Sequence, residues 1–345
     1  MRIIQRHYEC AKLNNSASFD FLRNHQTYLR KNIMYVRFWG VRGSIAAPLT
    51  NEALSSKIEA AVKLALKAGL TDDWQVSEFI KELPWHVRQT AGGDTACIEI
   101  QAGGELLILD AGTGFRRLGL DLIQRSMGSP IEAHMLITHT HWDHISGIPF
   151  FAPAFMPDNA LTFYSPYSGL EDRLKHQQNP EYFPVPLAPA FKFVHLNERE
   201  RFQIGDVTVE TFPLNHPGGS YSYRITHDDK MFIYATDSEY QGLSADSLKP
   251  FTDFFNGADL LIFDAQYTML ENVEKENWGH SNVFTGIDMA LEAGVKRIAF
   301  THHEPAYDDE KLGEILHKAK EYLNINQPEA GLQLYLASEG FSMTL

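Results

Sequence analysis

The sequence is poor in cysteine, in long apolar runs and in basic residues, and each shortage argues against a class of protein. Two cysteines in 345 residues cannot form a disulfide framework, so we expect a reducing compartment. No apolar run approaches the roughly 20 residues that a membrane-spanning helix needs. The N-terminus also lacks the apolar stretch and small-residue cleavage site of a signal peptide. These absences favour a cytoplasmic protein without membrane contact.

Basic residues are outnumbered by acidic ones. The chain has 30 Lys and Arg against 44 Asp and Glu, a formal net charge of -14. Proteins that bind duplex DNA or long RNA usually carry a basic surface. The composition therefore argues against a long nucleic acid as partner, although it leaves room for a local basic pocket.

Apolar residues are plentiful, at 44% of the chain, which is enough for a large core in a single α/β domain. Residues 1–33 are polar and lack a sustained period, so we assign them as an N-terminal extension and 34–345 as the main domain. The extension is either a short helical arm or lies upstream of a start at Met34. Residues 52–83 predict an amphipathic helical insertion. Residues 154–190, rich in Pro and aromatic residues, predict a second insertion.

After residue 94, short β-rich apolar runs recur, and each is followed by a residue of a metal-binding type. The runs are Leu106–Leu109, Met135–Thr138, Val207–Leu214, Met231–Ala235, Leu260–Phe263 and Arg297–Thr301. The polar residues after them are Asp110, His139, His216, Asp237, Asp264 and His302. Strand ends that meet at one edge of a sheet bring such side chains together.

Helical stretches alternate with these strands. They are predicted at Gly114–Ser126, Asp246–Phe255, Val283–Ala293 and Asp309–Leu323. A segment of strands followed by a segment of mixed strands and helices occurs twice along the chain. This order favours a layered α/β sandwich over an all-α or all-β fold.

The densest chemical motif is the run His139-Thr-His-Trp-Asp-His144. His139 and His141 are two residues apart, so an extended loop points both imidazoles to the same side. Asp143 and His144 follow a turn and can face a second position. Three imidazoles and one carboxylate suit Zn²⁺, and Mn²⁺ or Fe²⁺ fit the same donors. A solvated His-rich loop is the alternative, but this spacing after a buried strand favours a metal site.

This motif resembles the signature of the metallo-β-lactamase superfamily. The segments FWGVRGSI (38–45), GGDTACIEI (92–100), LILDAGTG (107–114) and THTHWDHISGIPFF (138–151) resemble a bacterial branch of metal-dependent hydrolases. That branch is related to ribonuclease Z and to cyclic-nucleotide phosphodiesterases of the same fold. The resemblance covers the chain from about Met34 to its end. It implies an αββα sandwich, here with a helical insertion and an N-terminal extension.

The resemblance also implies a set of ligands for two metal ions. His216, in Leu-Asn-His-Pro-Gly-Gly, matches the third histidine of the first site, and Asp237, in Ala-Thr-Asp-Ser, matches a carboxylate that bridges both ions. His302, in Thr-His-His-Glu-Pro, matches the last histidine of the second site, with His303 as the alternative. The first ion would be held by His139, His141, His216 and Asp237, and the second by Asp143, His144, Asp237 and His302.

Three other residues receive roles that leave an alternative open. By the resemblance, Asp110 accepts a hydrogen bond from a metal-bound imidazole; otherwise it is only a turn residue. His280, in Trp-Gly-His-Ser, contacts the scissile phosphate and protonates the leaving group, or else packs beside a helix that begins near Asn282. His280 or Ser281 is expected to cap that helix. Arg42 either lines the pocket or lies in a surface turn.

These residues predict a hydrolase in which a hydroxide held between two divalent ions attacks a phosphodiester. Asp143 would orient the nucleophile and His280 would act as general acid. The preferred substrate is a small, nucleotide-like phosphodiester, cyclic nucleotides included. A lactone, a thioester or a sulfate ester is the alternative substrate, and a metal-loaded sensor without turnover is the alternative function. Relatives of this fold often form dimers, so a homodimer is an open alternative to a monomer.

Overall fold

Strands and helices alternate along residues 33–240 and 244–345, the part of the chain that this computed structural model describes. The strands are β1 (Tyr35–Gly40), β2 (Cys97–Ala102), β3 (Glu105–Leu109), β4 (Glu132–Leu136), β5 (Ala160–Ser165), β6 (Phe191–His195), β7 (Arg201–Ile204), β8 (Val207–Leu214), β9 (Ser220–His227), β10 (Lys230–Ala235), β11 (Leu260–Asp264), β12 (Arg297–Thr301), β13 (Gln333–Leu336) and β14 (Ser342–Thr344).

The α-helices of the same ranges are α1 (Asn51–Lys67), α2 (Val76–Glu82), α3 (Trp85–Arg88), α4 (Gly114–Ser126), α5 (Trp142–Ile145), α6 (Leu170–Gln177), α7 (Ala245–Phe255), α8 (Met269–Glu274), α9 (Val283–Glu292) and α10 (Asp309–Asn326). Short 3₁₀ turns lie at Asp73–Gln75, Ile148–Phe150 and Ala152–Phe155. Within the described ranges, no helix combines the length and the apolar character needed to cross a bilayer.

The strands form two seven-stranded sheets. The N-terminal sheet has the order β14-β1-β2-β3-β4-β5-β6, and the C-terminal sheet has the order β13-β12-β11-β10-β9-β8-β7. Strands β3 to β6 are parallel, and so are β10 to β13. Parallel pairing places the carboxyl ends of neighbouring strands at one edge, so the loops that follow them meet there.

Alternation along the strands explains the layers. In β3, Leu107 and Leu109 belong to the core cluster between the sheets, whereas Ile108 belongs to the cluster that contains Phe115 of α4. Residues two apart in a strand share a face. Each sheet therefore buries one face against the other sheet and the opposite face under helices. This arrangement confirms the predicted αββα sandwich.

The insertion between β1 and β2 is helical, as predicted, but its apolar side does not face the core. No residue of α1 is buried. The helix is held instead by Lys57, whose Nζ lies 2.7 Å from Asp309 Oδ2. The apolar residues of α1 that remain 47–75% exposed are Leu54, Ile58, Val62 and Leu66.

The prediction of a second insertion at 154–190 is wrong. The segment contains β5, which pairs in parallel with β4 and with the following strand β6, so it forms part of the N-terminal sheet. Along β5 the residues alternate between buried and half-buried, a pattern that the surrounding Pro and aromatic residues obscure. The predicted extension, residues 1–33, lies outside the described residues except for Ile33.

Candidate metal centre

The predicted ligands lie in segments that follow four strands at one end of the sandwich. The run 139–144 follows β4, His216 follows β8, Asp237 follows β10 and His302 follows β12. Asp110, Asp237 and His302 have positive φ angles of 57°, 55° and 61°. A left-handed backbone at a residue other than glycine is uncommon and costs on the order of 1–3 kcal/mol. The turn at each of these positions redirects the side chain from the strand into the site.

A first donor group consists of His139, His141, His216 and Asp237, whose donor atoms lie within 4.8 Å of one another. His216 Nε2 lies 3.1 Å from His141 Nδ1 and 3.7 Å from Asp237 Oδ2. His139 Nε2 is buried without a hydrogen-bond partner and lies 3.6 Å from the same oxygen. Donors at 2.0–2.1 Å from a tetrahedral zinc ion are about 3.3 Å apart. The group therefore fits a metal ion.

A second donor group consists of Asp143, His144 and His302, with Asp237 again beside it. The Nε2 atoms of His144 and His302 are 3.3 Å apart. Each lies 3.0–3.3 Å from Asp143 Oδ2 and from Asp237 Oδ1. Asp237 faces the first group with Oδ2 and the second with Oδ1, so a single carboxylate joins the two groups.

Outer hydrogen bonds fix which imidazole nitrogen faces inward. His144 Nδ1 donates to Asp110 Oδ2 over 2.7 Å, and His216 Nδ1 donates to Gly279 O over 2.9 Å. In the neutral ring, each Nε2 then directs its lone pair into the site. Lone pairs that face one another at close range repel unless a cation lies between them, which is a second reason why these residues fit metal ions.

The carboxylates make this place attractive to positive charge. Burial alone would lower the pKa of His144, but Asp237, Asp143 and Asp110 outweigh it and raise that pKa well above its usual value. Burial also opposes protonation of His302, yet Asp237 and Asp143 raise its pKa to about 9. A divalent cation would satisfy the same electrostatic demand.

Asp110 lies beneath the second group and has no exposed surface. Besides the His144 imidazole, it accepts the Thr138 N–H at 2.8 Å, the Thr138 hydroxyl at 2.9 Å and the Tyr234 hydroxyl at 3.0 Å. Such a fully engaged carboxylate orients the imidazole above it. The geometry favours this role over that of a simple turn residue.

Only one histidine of the pair at 302 and 303 reaches the donors. His303 Nε2 donates to Ala337 O over 2.8 Å, away from the site. Burial lowers the pKa of His303 to about 3, so this side chain is a neutral structural residue. The geometry thus favours His302 as the ligand.

Arg42 fits neither of its two predicted positions. It is only 5% exposed, which excludes a surface turn, and it does not border the cavity beside the metal donors. Its guanidinium donates to the backbone carbonyls of Gly92, Glu304 and Tyr307. Arg42 therefore fastens the loop that follows His302 to the loop that follows β1.

His280 lies at the edge of the second group. Its ring stacks on the His302 ring with centroids 4.9 Å apart. Its Nδ1 lies 2.7 Å from Asp264 Oδ2, and the same oxygen accepts the Asp237 N–H at 3.0 Å. Asp264, which the sequence marked as a residue of a metal-binding type after a strand, thus positions both His280 and Asp237.

The predicted cap of α9 is wrong. Neither His280 nor Ser281 caps this helix. The N-cap is Asn282, whose side chain accepts the N–H groups of Phe284 and Thr285. Asn282 adopts the extended backbone of an N-cap residue, so His280 is free of a capping role and its ring lies against the site.

Sequence reasoning missed two further residues of the site. The Ser44 N–H donates to Asp143 Oδ2 over 2.7 Å, and Gln266 Oε1 lies 3.1 Å from His302 Nδ1. One signal was available in the segment 38–45. A Cβ on Gly43 would lie 2.3 Å from His302 Nδ1, so glycine is required where this loop passes the imidazole.

Comparison with known proteins decides the family. A family model described as a beta-lactamase superfamily domain matches residues 106–303, more than half of the chain. The chain belongs to the metallo-β-lactamase superfamily. At that level it is a metal-dependent hydrolase. A ribonuclease Z of Saccharolobus islandicus is 26% identical over 251 residues, which are 61% of this chain and 82% of that protein.

Two solved structures share the fold of this chain. The metallo-β-lactamase fold protein YhfI from Bacillus subtilis superposes with a TM-score of 0.60 at 18% identity, over 91% of this chain and 100% of that chain. Yeast PDE1 superposes with a TM-score of 0.62 at 13% identity, over 91% of this chain and 100% of that chain. At these identities the likeness concerns the fold alone.

Proposed function

We propose that this member of the superfamily is a dinuclear phosphodiesterase that hydrolyses a small, nucleotide-like phosphodiester, cyclic nucleotides included. The observation that carries the proposal is the position of Asp237, whose two carboxylate oxygens face two separate donor groups. The proposed ligands are His139, His141, His216 and Asp237 for one ion, and Asp143, His144, Asp237 and His302 for the other. Zinc is the preferred ion because imidazole predominates, and Mn²⁺ or Fe²⁺ are the alternatives.

Divalent ions held by these donors would supply Lewis-acid activation of water and of the phosphoryl oxygens. The chain's own residues provide the orientation. Asp143 Oδ2 is fixed by the Ser44 N–H, 2.7 Å away, and lies beside both Nε2 atoms of the second group. In this position Asp143 would orient the attacking nucleophile.

His280 is the proposed general acid. It borders the cavity of about 250 Å³ that opens over the donors. Because Asp264 engages its Nδ1, the other ring nitrogen, Nε2, is the atom that would give its proton to the leaving oxygen. Asp264 would hold the ring in that orientation.

A competing role makes His280 a ligand. Donor atoms of Asp237, Asp264, His280 and His302 also lie within 4.8 Å of one another. Asp264, however, is already engaged. Its Oδ2 accepts the His280 imidazole and the Asp237 N–H, and its Oδ1 accepts the Gln266 N–H at 3.0 Å. This engagement supports the acid role of His280 over ligation.

Two observations support a small phosphodiester. The relative named above is a ribonuclease, and RNA is joined by phosphodiester bonds, so the kinship favours this bond type. The net charge of -14 would repel a long polyanion, whereas a single phosphodiester between two cations is little affected over a short Debye length.

The test presents the metal-loaded protein, at one enzyme concentration, with cyclic mononucleotides, linear dinucleotides, a precursor transfer RNA, a lactone, a thioester and a sulfate ester. We expect the small phosphodiesters to turn over fastest, and Asp237→Asn to abolish that turnover. Asp229→Asn, an exposed residue in the β9–β10 turn, is the matched control and should keep full activity.

Each other outcome contradicts a stated part of the proposal. Site-specific cleavage of the precursor with no turnover of the small diesters would reject the small substrate. Turnover confined to the lactone, the thioester or the sulfate ester would reject phosphodiester chemistry. Metal-loaded protein that turns over no ester class would instead be a sensor module.

A further inference from the structure

A second cavity shares one lining residue with the cavity over the metal donors. Its volume is about 430 Å³, against about 250 Å³ for the cavity over the donors. The shared residue is Trp142. The second cavity is also bordered by Arg173 and His176 of α6 and by Thr140. The proposed catalytic steps use none of these residues.

Trp142 exposes most of its side chain to solvent, although exposure of a large apolar surface is unfavourable. It stands between the proposed ligands His141 and Asp143 and begins the short helix α5. Its exposed fraction is 66% although both residues after it are buried. An exposed aromatic ring on a fixed backbone beside a reaction site is a platform on which a planar base can stack.

Arg173 offers its charge to the same cavity. Its Nη1 donates to the Thr140 hydroxyl over 2.6 Å, and its guanidinium lies 4.6 Å from the centroid of the Tyr167 ring. Within residues 33–240 and 244–345, no carboxylate pairs with it at 4.0 Å or less. Neutral partners thus hold the guanidinium in place while its charge remains available for an anion. Planar, bidentate binding of phosphate is the particular strength of arginine.

The charge of this cavity is localised. Asp172 also lines it, so the wall carries one carboxylate beside the guanidinium. Such a wall suits a ligand with a single anionic group at Arg173 and a neutral planar group at Trp142. A ligand with several phosphates would also come close to the Asp172 carboxylate, which would repel it.

We propose that this second cavity binds a nucleoside monophosphate unit, with the base stacked on Trp142 and the terminal phosphate paired with Arg173. The inference rests on the proposed function and narrows it. The preferred substrate becomes a linear dinucleotide with a terminal phosphate, whose scissile diester lies over the metal donors and whose next nucleotide fills the second cavity. A cyclic mononucleotide would leave that cavity empty.

The first measurement is binding, independent of turnover. Calorimetric titration of metal-loaded protein with AMP should show a loss of affinity of about 5- to 150-fold in Trp142→Ala, the range of base–aromatic stacking. Trp142→Phe should restore most of it. Arg173→Gln should weaken binding of AMP but not of adenosine. Lys175→Gln removes the same charge from the same helix outside the cavity and should change nothing, as should Trp74→Ala on the distant insertion.

The second measurement is kinetic. Hydrolysis of a diadenylate with a 5′-terminal phosphate is compared with hydrolysis of the same diadenylate without it. Wild-type protein should show a lower KM for the phosphorylated form, and Arg173→Gln should lose that preference with little change in kcat. Trp142→Ala should raise the KM for both. Metal content is measured in every variant, and if Trp142→Ala loses metal, Trp142→Phe and Arg173→Gln decide the outcome.

The two proposals fail in different ways. AMP affinity that is unchanged in Trp142→Ala and Arg173→Gln overturns the second site, whatever the protein hydrolyses. AMP binding that depends on both residues, in a protein that hydrolyses no phosphodiester, upholds the site and overturns the proposed function.

Discussion

Replacing Asp110 by asparagine tests how the fold keeps His144 ready for a metal ion. The carboxylate accepts from the His144 imidazole at 2.7 Å, from two donors of Thr138 and from the Tyr234 hydroxyl. Asparagine can still accept from Thr138 through Oδ1, but its NH₂ then faces the imidazole Nδ1–H. The amide NH₂ and the imidazole N–H are both donors, so they cannot form a hydrogen bond with each other. His144 must turn away or move its proton to Nε2, and the lone pair directed into the second donor group is lost.

The expected effect follows from that conflict. Loss of an outer hydrogen-bond partner typically costs about 10- to 100-fold in metal affinity, and we expect this loss at the second ion only. Neither His141 nor His216 of the first donor group forms a hydrogen bond with Asp110. The first group should therefore keep its ion. Unfolding free energy of the metal-free protein should fall by about 1–3 kcal/mol, because a buried donor loses its acceptor.

The assay is a competition titration of the metal-free protein against a chromogenic chelator, which resolves two affinities. Asp259→Asn is the matched control. Asp259 is a buried carboxylate that accepts the Met231 N–H at 2.8 Å and pairs with Lys296 at 2.8 Å, far from the site. Wild-type affinity for both ions in Asp110→Asn, or an equal loss in Asp259→Asn, would refute the orienting role.

Three further predictions use single residues. His280→Ala should keep both ions but reduce turnover of a diester with a poor leaving group by about 10²- to 10⁴-fold, and reduce turnover less when nitrophenolate is the leaving group. Loss of metal, or equal losses of turnover on both substrates, would indicate that His280 is a ligand. His302→Ala should lose an ion in elemental analysis, whereas His303→Ala should keep both and only lower the melting temperature; the reverse pattern contradicts the geometry. Burial raises the pKa of the Cys97 thiol, so folded Cys10→Ser protein should resist thiol reagents near pH 8 until it is denatured, and rapid labelling of the folded protein would show otherwise.

Local patterns were sufficient where one face of an element packs into the core along its whole length. Val207–Leu214, Arg297–Thr301 and Gly114–Ser126 have the same bounds in the sequence prediction and in the structure. Their apolar periods coincide with the faces that pack, because burial selects the residues that create the period. The clustering of ligand types after successive strands followed from the same reasoning.

Other features depend on tertiary contacts, which local sequence patterns do not predict. The sequence predicts α1 as an amphipathic helix, which the structure shows, yet Ile58 on its apolar side is 57% exposed. The apolar period alone does not determine which partner that side contacts. Ser44 acts through its backbone N–H, which every residue type except proline provides, so no pattern marks it. Gln266 meets His302 only when β11 and β12 lie side by side, and Asp264 meets Asp237 only when β10 and β11 do.

The direct test of the bridged site is the number of metal ions per chain. Protein is stripped with a chelator, reconstituted with zinc, freed of excess metal and analysed for elemental content. Two donor groups joined by Asp237 predict about two ions per chain in the wild type. A wild-type protein that retains no metal, or a single ion even after reconstitution, would contradict the dinuclear site.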